Sequence, residues 1–167
     1  MLVSSKEMLC KAREEGYAVG SFNIFNLESA KAIIAAAEAE NAPVMLQIWS
    51  GFADFIGLDV LGAIAACEAK RARVPVAVHL DHGATLSQVG QSVAAGFTSV
   101  MLDGSALPLE ENIALTRNVV EFCRGLGIPV EGEIGHVGGS EDGGTQDEIV
   151  YTDPDEAVAF WKDSGVD

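Results

Sequence analysis

Short apolar runs rich in β-branched residues alternate along this chain with longer segments of helical period. Strands are predicted over 18–22, 44–48, 76–79, 99–102 and 128–134, and helices over 27–40, 59–69, 86–95, 109–124 and 155–164. Successive strands start about one βα unit apart, the spacing of parallel strands joined by helical crossovers. The segment 27–40 is rich in alanine, 59–69 stands behind an N-cap candidate, and Asp153-Pro154 opens the last helix with proline in its first turn. Gly96, Gly125 and Gly127 fall where helices stop and are expected to supply left-handed C-caps.

This alternation implies an α/β fold, either an open doubly wound sheet or part of an eight-stranded barrel. After the first strand, Gly20-Ser21-Phe22-Asn23-Ile24-Phe25 carries no G-x-G-x-x-G. A dinucleotide-binding sheet is therefore disfavoured. A whole (β/α)8 TIM barrel takes about 250 residues, and Gly165-Val166-Asp167 reads as the entry to a sixth strand. The expectation is that 1–167 forms the N-terminal part of a single TIM-barrel domain, covering its first five βα units.

The strand ends carry the candidate chemistry. In order they supply Asn23 and Asn26, then Gln47 and Ser50, then His79, Asp81 and His82, then Asp103, then Glu131 and Glu133. The third run, Val76-Ala77-Val78-His79-Leu80-Asp81-His82-Gly83, could by itself be a strand with a solvated polar tail. Its repetition at the other strands favours function, because the C-terminal ends of barrel strands converge on one face. Carboxylates crowded there have to be offset by protons, hydrogen bonds or a cation. A metal ion is the simplest solution.

Composition narrows the partners. Hydrophobic residues make up 49% of the chain and the mean hydropathy is +0.24, enough for a single-domain core. Lys and Arg number 10 against 25 Asp and Glu, a formal charge of -15. That excess opposes broad contact with nucleic acid or anionic lipid and favours small molecules and cations. With neither a membrane-length apolar run nor a leader-like start, a soluble, cytoplasmic protein is expected. Cys10, Cys67 and Cys123 are isolated and odd in number, so they are read as buried small hydrophobes rather than a disulfide framework or a thiolate metal site.

Several ordered motifs together resemble the class II, zinc-dependent ketose-bisphosphate aldolases, in the branch of tagatose-bisphosphate aldolase and its short fructose-bisphosphate relatives. They are Gly20-Ser21-Phe22-Asn23 with Asn26-Leu27-Glu28, His79-Leu80-Asp81-His82, Ser99-Val100-Met101-Leu102-Asp103-Gly104-Ser105 and Glu110-Glu111-Asn112-Ile113. Val130-Glu131-Gly132-Glu133-Ile134-Gly135, Gly138-Gly139-Ser140-Glu141-Asp142 and Tyr151-Thr152-Asp153-Pro154 complete the series.

The resemblance implies a TIM barrel and reversible cleavage of a ketose 1,6-bisphosphate to dihydroxyacetone phosphate and an aldehyde. It implies that His82 is a ligand of the catalytic zinc, that Asp81 exchanges a proton with the substrate hydroxyl, and that Glu141, on a glycine-flanked loop, serves the carbon. Asp103 and Glu133 match positions that in some relatives hold a second divalent or monovalent cation. Read from the residues alone, they are equally hydrogen-bonded carboxylates of the barrel mouth. Asn23 and Ser50 become candidates to touch substrate, and Trp49 a residue that narrows the pocket. His79 is expected behind the site rather than on the metal. The family's remaining zinc histidines and phosphate loop correspond to positions beyond Asp167, and its members are homodimers or homotetramers. Two other readings stand beside this one: another divalent-metal sugar-phosphate enzyme of epimerase or isomerase type, and an inactive barrel fragment.

Overall fold

Five strands pair in parallel, in the order in which the chain makes them, in the computed structural model, which describes residues 1–135 and 151–167. They are β1 (Gly20–Asn23), β2 (Val44–Trp49), β3 (Val76–Gly83), β4 (Ser99–Leu102) and β5 (Val130–Gly132). The helices are α1 (Ser5–Glu15), α2 (Leu27–Ala39), α3 (Leu58–Arg71), α4 (Leu86–Ala94), α5 (Leu109–Arg124) and α6 (Pro154–Ser164), with a single 3-10 turn at Ser50–Phe52. A doubly wound sheet reverses its strand order at a switch point. Here the order never reverses, as along the wall of a barrel.

One face of this wall carries the main core. Ile34 of α2, Leu61 and Ala65 of α3, Val89 of α4 and Val119 of α5 pack onto Val44, Leu46, Val78, Leu80, Val100 and Val130. Strands buried on both faces need near-continuous apolar sequence, which explains the β-branched runs. The other face is lined through the registers Ser21↔Met45↔Ala77, Asn23↔Gln47↔His79↔Ser99, Trp49↔Asp81 and Met101↔Glu131. Polar groups thicken toward the C-terminal ends of these rows. At the opposite end, Met8 of α1 packs on Met45 and Ala77, and Leu2 bridges to Val76.

The elements follow local sequence chemistry. Asn26 and Ser29 form a reciprocal capping box on α2, Thr85 caps α4, and the Asp153 carboxylate accepts from the Asp155 and Glu156 amides at the start of α6. Asp167 donates its N–H to the Val130 carbonyl and accepts the Val130 N–H on its carboxylate, so the chain runs alongside β5 at this point.

Several expectations need correction. Helix α1 lies outside every segment predicted helical; its mean hydropathy is low, and its apolar stripe is only Met8 and Ala12. Strand β3 runs to Gly83, four residues past the expected end, because backbone pairing continues through its polar tail. Strand β5 is confined to Val130–Gly132, and β1 starts at Gly20. Gly57, without a side-chain bond, caps α3. Gly96 and Gly127 are left-handed, at φ 92° and 68°, but Gly125 stays right-handed at φ -66° because the chain makes a further turn there. Among the cysteines only Cys123 is buried; Cys67 is exposed on the outer side of α3.

The registry between β3 and β4 slips once. Leu80 pairs with Val100 and Gly83 with Leu102, so β3 spends one more residue than β4 over this stretch. That is a β-bulge, a device that bends a strand and re-aims a side chain. A Cβ on Gly83 would lie 2.6 Å from the Met101 carbonyl oxygen and 2.7 Å from Leu80 Cδ2. Gly83→Ala should therefore destabilise the protein by about 1–3 kcal/mol, seen as a lower urea midpoint at unchanged slope. Gly90→Ala, inside α4 where a Cβ meets nothing within 4 Å, should instead stabilise by roughly 0.5–1 kcal/mol. Equal midpoints for the two variants would contradict this packing.

Candidate active site

Successive side chains of a regular strand point to opposite faces. The bulge breaks that rule where β3 ends. His82 adopts φ 50°, and its ring comes to the same side as Asp81, with Nε2 3.9 Å from Asp81 Oδ1. A left-handed residue other than glycine costs about 1–2 kcal/mol, and neighbouring bonds hold it in place. The Ser50 hydroxyl donates to the His82 carbonyl, and the Asp103 N–H donates to the Gly83 carbonyl at 2.9 Å.

Beside His82 stand the two carboxylates singled out in the sequence. His82 Nδ1 lies 2.9 Å from Asp103 Oδ2 and 3.6 Å from Glu133 Oε2. Asp103 Oδ1 accepts from the Ser105 amide at 2.9 Å and from its hydroxyl at 2.6 Å. The hydrogen bond from His82, helped by those from Ser105 and opposed by burial, draws the Asp103 carboxyl down to about 2. Asp103 is thus an anion at every physiological pH. Glu133 is fixed through its backbone, where Asn112 of α5 donates Nδ2–H to the carbonyl at 2.7 Å.

One imidazole and two carboxylates each offer a ligand atom here, all within 4.8 Å of one another. Ligand atoms on one zinc ion stand at most about 4.4 Å apart, from bonds near 2.0–2.2 Å. Small side-chain movements would close the set, and a mixed nitrogen and oxygen donor set suits zinc or another divalent cation.

Asp81 is buried at the edge of this cluster, and Asn23 Nδ2 lies 3.4 Å from its Oδ2. Glu131 lies on the inner face of the sheet, with its side chain 58% exposed. Desolvation, with the charge of Asp81, raises its carboxyl above the ordinary value. His79 is buried behind the cluster, with Nδ1 2.8 Å from Ser99 Oγ and Nε2 3.5 Å from Glu131 Oε2. The sequence-named residues Asn23, Asp81, His82, Asp103 and Glu133 therefore come together at the strand ends. Ser50 comes with them, but its hydroxyl is engaged in holding His82. Asn26, another polar strand end, caps α2 instead. Trp49 meets Phe52 edge to face, ring centroids 5.4 Å apart. Glu141 and the glycine-flanked segment around it lie outside the described residues, as does His136.

A model of the family described as fructose-bisphosphate aldolase class-II matches residues 3–167. The chain belongs to that family. Fructose-bisphosphate aldolase of Staphylococcus aureus (strain N315) is 44% identical over 169 residues, covering 99% of this chain and 59% of the relative. Its counterpart in Staphylococcus epidermidis (strain ATCC 12228 / FDA PCI 1200) is 43% identical with the same coverage. The chain thus spans 59% of the length of these curated relatives. The crystal structure of the YdjI aldolase from Escherichia coli K12 superposes with a TM-score of 0.88 at 34% identity, over 100% of this chain and 58% of that one. Fructose-bisphosphate aldolase from Campylobacter jejuni gives 0.81 at 27% identity, over 98% and 55%. The five-stranded wall is accordingly part of the class II aldolase TIM-barrel fold. Among the described residues, no helix is long and apolar enough to cross a membrane.

Ser99, Ser105 and Asn112 are the residues that sequence reasoning did not assign. Ser99 was visible as a hydroxyl opening an apolar strand, and Asn112 as a polar residue on the buried face of a helix. Burial pulls the His79 ring down to about 4 from its usual 6.5, outweighing the opposing charge of Asp81. Between those values the unfolded chain binds a proton that the folded chain does not, so stability falls as pH drops through this window and levels off below it. The loss is about 3 kcal/mol. The stability advantage of wild type over His79→Gln should shrink by that amount between about pH 7 and pH 4, measured by urea unfolding. A constant difference would contradict it.

Proposed function

We propose that the protein carrying this chain is a metal-dependent aldolase that reversibly cleaves a ketose 1,6-bisphosphate into dihydroxyacetone phosphate and an aldehyde. The single observation that carries this reading is Asp81 standing beside the His82, Asp103 and Glu133 cluster at the C-terminal ends of the strands. Membership of the class II family supports it. In this reading residues 1–167 are the first five βα units of one barrel domain, and the protein works in the cytoplasm as a homodimer or homotetramer.

His82, Asp103 and Glu133 would hold the cation, for which zinc is our assignment. Bound there, the cation would supply Lewis-acid stabilisation of negative charge on a substrate oxygen. The side chains of this chain do the rest. Asp81 removes the proton from the substrate hydroxyl in the cleavage direction and returns it in synthesis. Asn23, whose amide reaches Asp81 Oδ2, orients that carboxylate and has its remaining polar atoms available to substrate. Glu141 is assigned the proton transfer at carbon. Ser50 contributes by keeping the His82 backbone in its left-handed turn and by lining the approach for substrate.

Two outcomes follow for the full-length protein. Asp81→Ala should lower kcat for release of dihydroxyacetone phosphate by about 100-fold or more, with an unchanged circular dichroism spectrum. Wild-type turnover in that variant would refute the assignment. Asp103→Asn should weaken zinc binding by about 10- to 100-fold in chelator competition. Unchanged affinity would remove Asp103 from the cation site.

A further inference from the structure

The roles assigned above leave the Glu110-Glu111-Asn112-Ile113 motif unused. Asn112 stands in the first turn of α5, 2% exposed, and Thr116 follows one turn later on the same face, fully buried. Further along, that face packs Val119, Val120 and Cys123 into the core. A buried amide and a buried hydroxyl are costly unless each finds a partner. Here the Asn112 Nδ2–H donates to the Glu133 carbonyl at 2.7 Å, and the Thr116 hydroxyl donates to Asn112 Oδ1 at 3.1 Å.

The orientation of the amide follows from these partners. A backbone carbonyl only accepts, so the amide atom that faces Glu133 is the nitrogen. The oxygen is then left toward Thr116, whose hydroxyl can donate to it. Thr116 thereby fixes which end of Asn112 meets the strand end.

The same side chain bears on the other carboxylate. Registered pairing of β4 with β5 ends at Leu102 and Gly132, so Asp103 and Glu133 each stand one residue beyond it. That ladder does not set their separation. At Gly104, next after Asp103, a Cβ would lie 2.7 Å from Asn112 Cγ, so the amide packs directly on this glycine's backbone. Asn112 thus touches the neighbour of Asp103 by packing and holds Glu133 by a hydrogen bond.

We propose that Asn112, aligned by Thr116, is a positioning residue that sets the separation of the Asp103 and Glu133 carboxylates and with it the affinity of the cation site. A cation takes its ligands at fixed distances, so a carboxylate displaced by about 0.5 Å binds it less well. The inference rests on the cation site of the proposed function and not on the cleavage reaction.

The test uses the full-length protein, with zinc affinity measured by chelator competition and the ligand geometry followed by visible absorption of the cobalt-loaded form. Thr116→Val keeps the shape of the side chain and removes the hydroxyl. It should weaken zinc binding about tenfold, the lower end for groups that orient metal ligands, and alter the cobalt spectrum. Thr116→Ser, which keeps the hydroxyl, should restore both. Val119→Ala, a cavity elsewhere on the buried face of α5, should lower stability yet leave both readouts at wild-type values. Wild-type zinc affinity in a folded Thr116→Val overturns the proposal, and so does an equal loss in Val119→Ala or no recovery in Thr116→Ser. Asn112→Ala, which removes the donor itself, should lose at least as much affinity; wild-type affinity there overturns the proposal whether or not Thr116→Val folds. Absence of zinc uptake by wild type would refute the cation site and this proposal with it, whereas normal uptake with unaffected variants refutes this proposal alone.

Discussion

One extra residue in β3 decides what this site can do. Without the bulge between Leu80 and Gly83, strand alternation would send Asp81 and His82 to opposite sides, one into the barrel and the other toward the helices. With it, an acid and an imidazole adjacent in sequence share the mouth. The left-handed turn at His82 is unfavourable by itself, and the structure surrounds it with support. Ser50 binds its carbonyl, the Asp103 amide binds the next one, and Gly83 leaves no room for a side chain against Met101. Strain stored at a strand end in this way is typical of functional sites.

The second constraint is charge. Asp81, Asp103, Glu131 and Glu133 gather around His82, in a chain that already carries a formal charge of -15. The carboxylates respond differently. Asp103, with three hydrogen bonds, is held firmly as an anion, whereas Glu131, desolvated and near Asp81, is pushed toward its protonated form. In the proposed function, a cation held between His82, Asp103 and Glu133 would relieve the repulsion, with Asp81 beside it as the group that exchanges protons.

Much of this was legible in the sequence, because parallel strands advertise themselves through apolar runs and deliver polar groups at one end. Asn23, Asp81, His82, Asp103 and Glu133 could be named from that pattern alone, before any geometry. The bulge could not, because one added residue hardly disturbs an apolar run, and its signature is a register slip seen only against β4. Helix α1 escaped because its buried stripe is narrow and its composition polar, so its packing under Met45 and Ala77 is set by tertiary contacts. The polar strand-end positions Asn26 and Ser50 carried the right residue type for binding, yet backbone groups engage both. Hydroxyls and amides are ambiguous in sequence because caps, turns and ligands use them alike.

The most direct test of the central claim is anomalous diffraction at the zinc edge from crystals of the full-length, zinc-loaded protein. The expected result is a peak bonded to His82, with Asp103 and Glu133 beside it and the Asp81 carboxylate on the same side of the sheet. A peak elsewhere, or a His82 ring turned toward the helix layer away from Asp81, would contradict it.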